Sequence, residues 1–493
     1  MVQTSRFGTL GCALLGLALI TGCGGAAPNS LASSGATTTA ADSSTSGSTT
    51  PSTPAPTPTP APTPTPTPNP APTPIATTTT LTAETSTNTS VGMSYPQTTG
   101  NEAPSNVSKV DTHSLLYSGA TTKVYAHFMA WFGNPSHMNI GYTSSDPNQV
   151  HRQVSDALSR GISGFIEDWY GPNHPSDTMS NDTAFVLKAE AETRNGAFEF
   201  AMMADGGALD SSCTAANGQT QAASCLTDQM ITLLTYAYNN FETSPAYMRI
   251  GGRPAVFFFD PDRYGTLDWA RVGSSIPGNP LLIFQNSGGF THAQSSGSIS
   301  WVMINTSNAN DWMQSYLDGF YSAARSNLQG HAFGATYKGF NDTLASWTAQ
   351  RIVNQNCGQT WLNTFSEIGK YYSANSQLES LQLVTWNDYE ESTEIETGID
   401  NCIAVSASVS GNQLSWTLSG NGQENTIDHY TPYISVDGEN LMPLSNVPAG
   451  THNLDLSSYH FAAGTYKVYV EAVGKPSIKN QMSGAASFVS SGG

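Results

Sequence analysis

The stretch Gly164-Phe165-Ile166-Glu167-Asp168-Trp169 decides the fold that the sequence predicts. It is a short apolar run that ends in carboxylates and an aromatic ring. Apolar residues at helical spacing precede it between residues 148 and 159, and follow it between residues 183 and 193. A short strand between two amphipathic helices is typical of the βα unit of α/β proteins.

The same alternation recurs along the chain. Further helical patterns cover residues 226–241, 313–326 and 344–372, whereas 286–299 is rich in Gly and Ser and shows none. The predicted strands are 124–131, 164–169, 199–204, 255–259, 281–285, 300–304, 331–337 and 381–386. Because these runs are apolar throughout, both faces of each strand should be buried, as in a parallel sheet covered by helices.

Eight such strands predict a closed (β/α)8 TIM barrel over residues 120–400. The alternative fold is an open doubly wound sheet. That fold would need a glycine-rich phosphate loop after an early strand, and the sequence has none.

Carboxylates, amides and aromatic rings follow the predicted strands, which is where barrel proteins hold their ligands. Such groups suit a sugar, whose hydroxyls need hydrogen-bond partners and whose C–H faces pack on aromatic rings. For any single position a helix cap or a loop hydrogen bond is the alternative. His127, inside the first strand, is as well explained by a barrel role as by a substrate contact. The expected substrate contacts are Trp131, Asp168, Trp169, Tyr170, Asp205, Trp386, Asn387, Tyr389 and Glu396.

The charge balance excludes one class of partner. Acidic residues outnumber basic ones by 37 to 18, and charged residues are only 11% of the chain. Nucleic acid is excluded because its phosphates require clustered Lys and Arg. The expected partner is a neutral polysaccharide or oligosaccharide, with no cofactor or metal ion, and the chain is expected to be a monomer.

Several segments between residues 124 and 396 resemble glycoside hydrolases of families 71 and 99, the endo-α-1,3-glucanase and endo-α-mannosidase groups. Residues 142–147 (YTSSDP), 161–165 (GISGF), 169–171 (WYG) and 393–396 (TEIE) are similar to family 99. Residues 125–129 (YAHFM) and 385–389 (TWNDY) are similar to family 71.

In both families the acidic residue after the Asn and the Glu three positions later are the catalytic pair, which the resemblance carries onto Asp388 and Glu391. Two departures leave the substrate open between α-1,3-glucan and α-mannan. Family 71 has Gly where this chain has Glu390, and family 99 has Gly where it has Ser392.

Glycoside hydrolysis needs one carboxyl that protonates the leaving oxygen and one carboxylate that activates the nucleophile. We assign Glu391 as the general acid, because the neighbouring carboxylates should raise a pKa in this cluster. Asp388 is then the base, acting on water with inversion or on the substrate 2-hydroxyl with retention. A calcium-binding loop or a solvated turn is the alternative for this acidic segment.

The N-terminal region predicts export. Residues 1–23 combine Arg6, an apolar run over 10–20 and the lipobox Ile20-Thr21-Gly22-Cys23, so they read as a lipoprotein signal with Cys23 as the lipidated residue. The Gly that follows Cys23 favours the outer membrane. Residues 24–110, rich in Thr, Pro and Ser, predict an extended stalk, at about 3.1 Å per residue where polyproline II forms.

Four cysteines remain in the exported chain, and their spacing fits no zinc site. In an oxidising compartment they predict two disulfides, for which sequence allows three pairings. We favour Cys213 with Cys225 and Cys357 with Cys402.

After Cys402 the pattern changes to short alternating strands, which predicts a small β-sandwich over residues 403–490. It resembles a fibronectin type III or immunoglobulin-like domain. We favour a packing spacer over a glycan-binding module. For the whole chain the leading hypothesis is a lipid-anchored hydrolase of α-linked glycan, and its rival is a non-catalytic glycan-binding lipoprotein with a degenerate barrel.

Lipidation is tested at Cys23. A radioactive fatty acid supplied to the native host should label the wild type and not Cys23→Ser, because only the thiol accepts the lipid. Equal labelling of both proteins would contradict the lipoprotein assignment.

Overall fold

The computed structural model describes residues 84–85, 106–174, 177–209 and 223–492. The predicted signal segment, Cys23, most of the predicted stalk and Cys213 lie outside these residues. Within the described ranges, no helix has both the length and the apolar character needed to cross a membrane.

Eight parallel strands form a closed barrel, so the predicted fold class is confirmed. Each strand pairs with the next, and the last pairs with the first from Ser380 opposite Lys123 to Leu383 opposite Ala126. The strands are β1 (Lys123–Met129), β2 (Gly164–Trp169), β3 (Glu199–Asp205), β4 (Arg253–Phe259), β5 (Leu281–Gln285), β6 (Gly297–Ile299), β7 (His331–Tyr337) and β8 (Ser380–Val384).

Helices follow most of these strands. The α-helices of the described ranges are α1 (Pro147–Ser159), α2 (Met179–Thr193), α3 (Ala223–Ala237), α4 (Trp269–Ser275), α5 (Gln314–Ser326) and α6 (Gln359–Ile368). The first begins where Asp146 accepts a hydrogen bond from the N–H of Asn148 and Pro147 occupies the first turn. Its buried Val150 and Val154 belong to the barrel core.

The sixth strand differs from its prediction. It runs from Gly297 to Ile299, whereas the sequence predicted residues 300–304. A Cβ at Gly297 would lie 2.1 Å from the carbonyl oxygen of His331, so only Gly allows this close approach to β7. The apolar residues that follow lie beyond the strand, where the ring of Trp301 is 4.6 Å from that of His127.

The long helix predicted over 344–372 is also wrong in its first half. Phe340–Asn341 pairs antiparallel with Ile352–Val353, and only α6 is helical. The intervening turn has positive φ at Asn356, Cys357 and Gly358, a conformation that no α-helix accepts. The 286–299 link, predicted to lack a helical pattern, contains the 3-10 helix Ser287–Thr291.

Two small antiparallel sheets follow the barrel, in agreement with the predicted sandwich. One sheet has the order β9-β10-β14, and in the other β11 and β15 are central, with β12 and β13 pairing with β11 and with β16 and β17 pairing with β15. The strands are β9 (Ile403–Ser410), β10 (Gln413–Gly420), β11 (Ile427–Ser435), β12 (Asn440–Pro443), β13 (Val447–Pro448), β14 (Asn453–Asp455), β15 (Gly464–Gly474), β16 (Gln481–Met482) and β17 (Ala486–Ser490).

The sandwich is fastened to the barrel. The predicted disulfide between Cys357 and Cys402 is present. Trp361 of α6 donates a hydrogen bond to the carbonyl of Pro476 at 3.0 Å, and Ile478 is buried in the barrel core. Cys225 is also disulfide-bonded, while its predicted partner, Cys213, lies outside the described residues.

We expect Trp416→Ala to lower the free energy of unfolding by about 3–5 kcal/mol, because it leaves a cavity in a packed core. Trp416 is 2% exposed, and its ring lies 5.2 Å from that of Tyr430. The measurement is thermal or denaturant unfolding. Val489→Ala, at a side chain that is 68% exposed, should change stability little; a similarly small effect of Trp416→Ala would contradict its core role.

Candidate active site

The loop that follows β8 carries both predicted catalytic carboxylates, and its own hydrogen bonds hold it in shape. At its base the N–H of Thr385 donates to the carbonyl of Thr393 at 3.1 Å, and their hydroxyl oxygens lie 2.9 Å apart. The N–H of Glu396 returns to the carbonyl of Trp386 at 2.9 Å. The loop therefore holds its side chains on a fixed frame at the C-terminal mouth of the barrel.

Asn387 joins this loop to the first strand. Its Oδ1 accepts the N–H of Met129 at 2.8 Å, and its Nδ2 donates to the carbonyl of the same residue at 2.9 Å. The side chain is fully buried. The amide predicted to contact the substrate is thus engaged with the backbone, where it fixes the position of the next residue, Asp388.

Asp388 is buried, and its two carboxylate oxygens differ in their hydrogen bonds. Its Oδ1 accepts the N–H groups of Glu390 at 3.0 Å and Glu391 at 2.9 Å. Its Oδ2 has no hydrogen-bond partner among the described residues. Burial, and then the charges of Glu391 and Glu390, raise the pKa of Asp388 well above its ordinary value. The two N–H donors favour the ionised form and fix the direction of Oδ2.

Glu391 lies beside a guanidinium group. Arg351 Nη2 is 3.8 Å from its Oε1, and the carboxylate is 3% exposed. Arg351 is itself held by Asp342, with Nε and Oδ2 2.8 Å apart. The next residue, Ser392, has a φ of 50°, a left-handed conformation that favours Gly.

Glu390 is bound by donors from the loop after β1. Its Oε2 accepts from Trp131 Nε1 at 3.2 Å and from His137 Nδ1 at 2.9 Å. Its Oε1 accepts the N–H of Met138 at 2.9 Å. This carboxylate is therefore occupied in joining two loops and does not compete with Asp388 and Glu391 for a substrate.

The floor of the barrel mouth contains His127, Asp168 and Asp205, which sequential strands bring together. His127 Nε2 lies 3.4 Å from Asp168 Oδ2, and Asp205 Oδ1 accepts the N–H of Gly207. Three polar atoms have no partner among the described residues, namely His127 Nδ1, Asp168 Oδ1 and Asp205 Oδ2. Buried polar groups are normally satisfied, so this floor has hydrogen-bonding capacity for a polar ligand.

Burial determines the charge of this floor. It lowers the pKa of His127 to about 3, so the imidazole is neutral. Burial, with the charge of Asp177, raises the pKa of Asp168 to about 8, while His137 acts to lower it. Burial, and then Asp168, raises the pKa of Asp205. Within the described residues, no group of three or more His, Cys, Asp or Glu side chains is arranged to hold a metal ion.

Two tryptophans predicted to contact the substrate lie instead between the barrel and its helices. The ring of Trp169 lies 6.1 Å from that of Tyr236 and 5.7 Å from that of Phe241. Trp386 packs against Phe165, with ring centroids 5.3 Å apart, and under the guanidinium of Arg160. Both tryptophans are fully buried, and for Trp169, the last residue of β2, strand alternation turns the side chain away from the barrel axis.

Glu396 and Tyr389, also predicted to bind the substrate, form a buried network under the loop. Tyr389 donates to Glu396 Oε2 at 2.8 Å, and Tyr142 donates to the same oxygen at 3.1 Å. Gln149 and Gln153 donate to Oε1. Burial raises the pKa of Glu396 to about 7 against these donors. The network supports the loop from below.

Trp131 and Tyr170 remain at the mouth, where the first is covered and the second borders open space. The ring of Trp131 stacks on His137 at 5.0 Å and meets Tyr170 edge-on at 5.8 Å. Trp131 is 1% exposed and Tyr170 7%. Both residues thus lie just after strand ends, as the sequence predicted. The face of the Trp131 ring is covered by His137.

Four residues of the site were not among the substrate contacts expected from the sequence. His137 and Trp347 face each other with ring centroids 6.1 Å apart, and Arg351 approaches Glu391 as described. Lys338 lies 2.8 Å from Glu394. His137 lies in a loop without periodicity, and both Trp347 and Arg351 were inside the wrongly predicted helix. Only Lys338 carried a signal, its position directly after β7.

Trp169→Ala and Trp131→Ala should have different effects. Trp169→Ala removes barrel core and should lower the free energy of unfolding by about 3–5 kcal/mol, with little change in the affinity of the folded protein for glycan. Trp131→Ala should lower activity, because Glu390 loses a donor, which costs about 1–3 kcal/mol in a buried site. Thermal midpoints and glycan affinities distinguish the two; a stable Trp169→Ala with lost affinity would contradict this placement.

No family model matches the chain, and no curated protein matches it. Solved structures do match. The family 99 endo-α-mannosidase from Bacteroides thetaiotaomicron with bound bis-tris propane is 14% identical over 56% of this chain and 87% of that chain, with a TM-score of 0.42. A glycoside hydrolase-like protein is 15% identical over 57% and 88%, with a TM-score of 0.43. The chain is thus similar, at low identity, to this family 99 endo-α-mannosidase and to this glycoside hydrolase-like protein.

Proposed function

We propose that the protein is a glycoside hydrolase that cleaves an α-linked polysaccharide with Asp388 and Glu391 as its catalytic pair. One observation carries this assignment. Two buried carboxylates, three residues apart, stand on a hydrogen-bonded loop at the C-terminal mouth of a closed barrel, and one oxygen of Asp388 has no partner among the described residues.

Asp388 is the general base. Its Oδ1 is held by two N–H donors, so Oδ2 can take a proton from water as the water oxygen attacks the anomeric carbon, giving inversion. Alternatively Oδ2 takes the proton of the substrate 2-hydroxyl as that oxygen attacks the anomeric carbon, giving an anhydro-sugar that water then opens with net retention. A carboxylate with a raised pKa accepts a proton more readily than an ordinary one. The base acts only when ionised, so activity should decline as the pH falls through the raised pKa of Asp388.

Glu391 is the general acid, which protonates the oxygen of the leaving sugar as the glycosidic bond breaks. A carboxylate forms at Glu391 in that step. The guanidinium of Arg351, 3.8 Å away, stabilises this negative charge as it develops. The Asp342–Arg351 pair keeps the guanidinium in place, so little reorganisation is needed.

The substrate class is an α-1,3-glucan or an α-mannan. The sequence resemblance to families 71 and 99 supports it. His127 Nδ1, Asp168 Oδ1 and Asp205 Oδ2 have no partner among the described residues. They offer one ring nitrogen and two carboxyl oxygens to the hydroxyls of a sugar ring. We further propose that the protein is exported and anchored to the outer membrane by a lipid on Cys23, with the Pro-rich segment as its stalk.

Asp388→Asn and Glu391→Gln should each lower kcat by about 10²–10⁴-fold, the usual contribution of one general acid or base. The assay is hydrolysis of a panel of α-linked glucans and mannans by protein with unchanged thermal midpoint. Glu379→Gln is the matched control, since Glu379 is exposed and pairs with His331 at 2.8 Å; it should keep full activity.

An aryl α-glycoside with a good leaving group separates the two roles. It needs no protonation of the leaving oxygen, so Glu391→Gln should recover on it while Asp388→Asn should not. Unchanged activity of both variants on every substrate would refute the catalytic pair. A wild type that binds one polysaccharide and cleaves none would favour the rival function, a glycan-binding lipoprotein.

A further inference from the structure

A cavity of about 660 Å³ lies between the ends of β2 and β3 and the helix α3, and the proposed chemistry does not use it. Tyr170 and His174 line it on the β2 side, and Thr232, Leu233 and Tyr236 line it from α3. Pockets of about 300–1,000 Å³ are typical of sites for small ligands. The cavity is therefore large enough to bind part of a substrate.

The chemistry of the lining indicates a neutral, amphipathic ligand. Tyrosine rings and leucines supply apolar surface, and Asn173, Gln229 and Thr232 supply amide and hydroxyl groups. The carboxylate of Asp228, which also lines the cavity, is paired with the guanidinium of Arg271. Among the described residues that line the cavity there is no Lys or Arg, so a phosphate or an acidic sugar would find no such partner. A neutral sugar offers both C–H faces and hydroxyls.

The cavity is joined to the catalytic loop by direct contacts. Glu390, next to Glu391 in the chain, accepts a hydrogen bond from Trp131, the ring of Trp131 meets that of Tyr170, and Tyr170 lines the cavity. Trp131 thus connects the catalytic loop with the cavity wall.

The floor of the barrel mouth approaches the same wall. A Cβ at Gly207 would lie 2.8 Å from Asp205 Oδ1 and 3.1 Å from Tyr170 Cε1. Gly207 therefore lies against both Asp205, which belongs to the floor, and Tyr170, which lines the cavity.

We propose that this cavity is a distal subsite for a neutral α-linked glycan chain, so that the enzyme acts on chains longer than those its catalytic centre alone can hold. This inference rests on the proposed function. A chain bound at the catalytic pair continues over Tyr170 and places a remote sugar among Asn173, Thr232 and Tyr236.

The test is the dependence of kcat/KM on chain length with α-1,3-gluco- and α-manno-oligosaccharides from the disaccharide to the hexasaccharide. Thr232 is exposed and lines the cavity, so Thr232→Trp should fill the space without disturbing the core. It should lower kcat/KM for the longest chains by roughly fivefold or more, equivalent to about 1 kcal/mol, and leave that for the shortest cleaved substrate unchanged.

Asn239→Trp is the matched control, because Asn239 is exposed in the segment that continues α3 and does not line the cavity. It should keep the length dependence of the wild type. Asn173→Ala is a milder second variant. It should lower kcat/KM by about threefold for long chains alone. Thermal midpoints establish that each variant is folded.

Equal kcat/KM ratios between long and short chains in wild type, Thr232→Trp and Asn173→Ala would overturn the distal subsite while leaving the hydrolase intact. Loss at every chain length in Thr232→Trp would overturn it too, since that result describes damage to the catalytic centre. A wild type that cleaves no member of the panel would overturn the proposed function, and the subsite with it.

Discussion

The two hydrogen bonds between the side chain of Asn387 and the backbone of Met129 are the constraint on which the rest of the site depends. The barrel closes where β8 pairs with β1, and this ladder ends near Leu383 and Ala126. Beyond that point the N–H of Trp386 donates to the carbonyl of His127 at 2.7 Å, and Asn387 extends the connection with its side-chain amide. The loop after β8 therefore begins in a fixed direction, which sets the positions of Asp388 and Glu391.

The carboxylates of the site also differ in how many hydrogen bonds they accept. Glu390 receives three donors and Glu396 receives four. Burying an ionised group without partners is costly, so these two groups are held as structural links. Asp388, Asp168 and Asp205 each keep one oxygen without a partner among the described residues. Burial raises the pKa of each of these three carboxyl groups, and groups with perturbed pKa values cluster at functional sites.

The sequence predicted which residues lie near the candidate site better than it predicted the direction of each side chain. Asp168 and Trp169 are neighbours at the end of β2, and both were expected to contact the substrate. Side chains alternate along a strand, so Asp168 faces His127 at 3.4 Å while Trp169 packs under α2 and α3. The amino-acid composition of a strand end does not show which of its residues faces the barrel axis. An alternating strand shows its inward face by its pattern, whereas a strand that is apolar throughout does not.

The alternation of strands and helices, the Asp388–Glu391 spacing and the number of cysteines could be read from the sequence, because each is a local property of the chain. The Cys357–Cys402 pairing was one of three that the sequence allowed, and the structure shows it. The tertiary structure alone shows which carboxylates are paired with hydrogen-bond donors or with a guanidinium group. The donors to Glu390 come from His137 and Met138, more than 250 residues earlier in the chain, and Arg351 reaches Glu391 from a turn that the sequence predicted as helix. Desolvation and charge pairing depend on distances in space, which sequence separation does not encode.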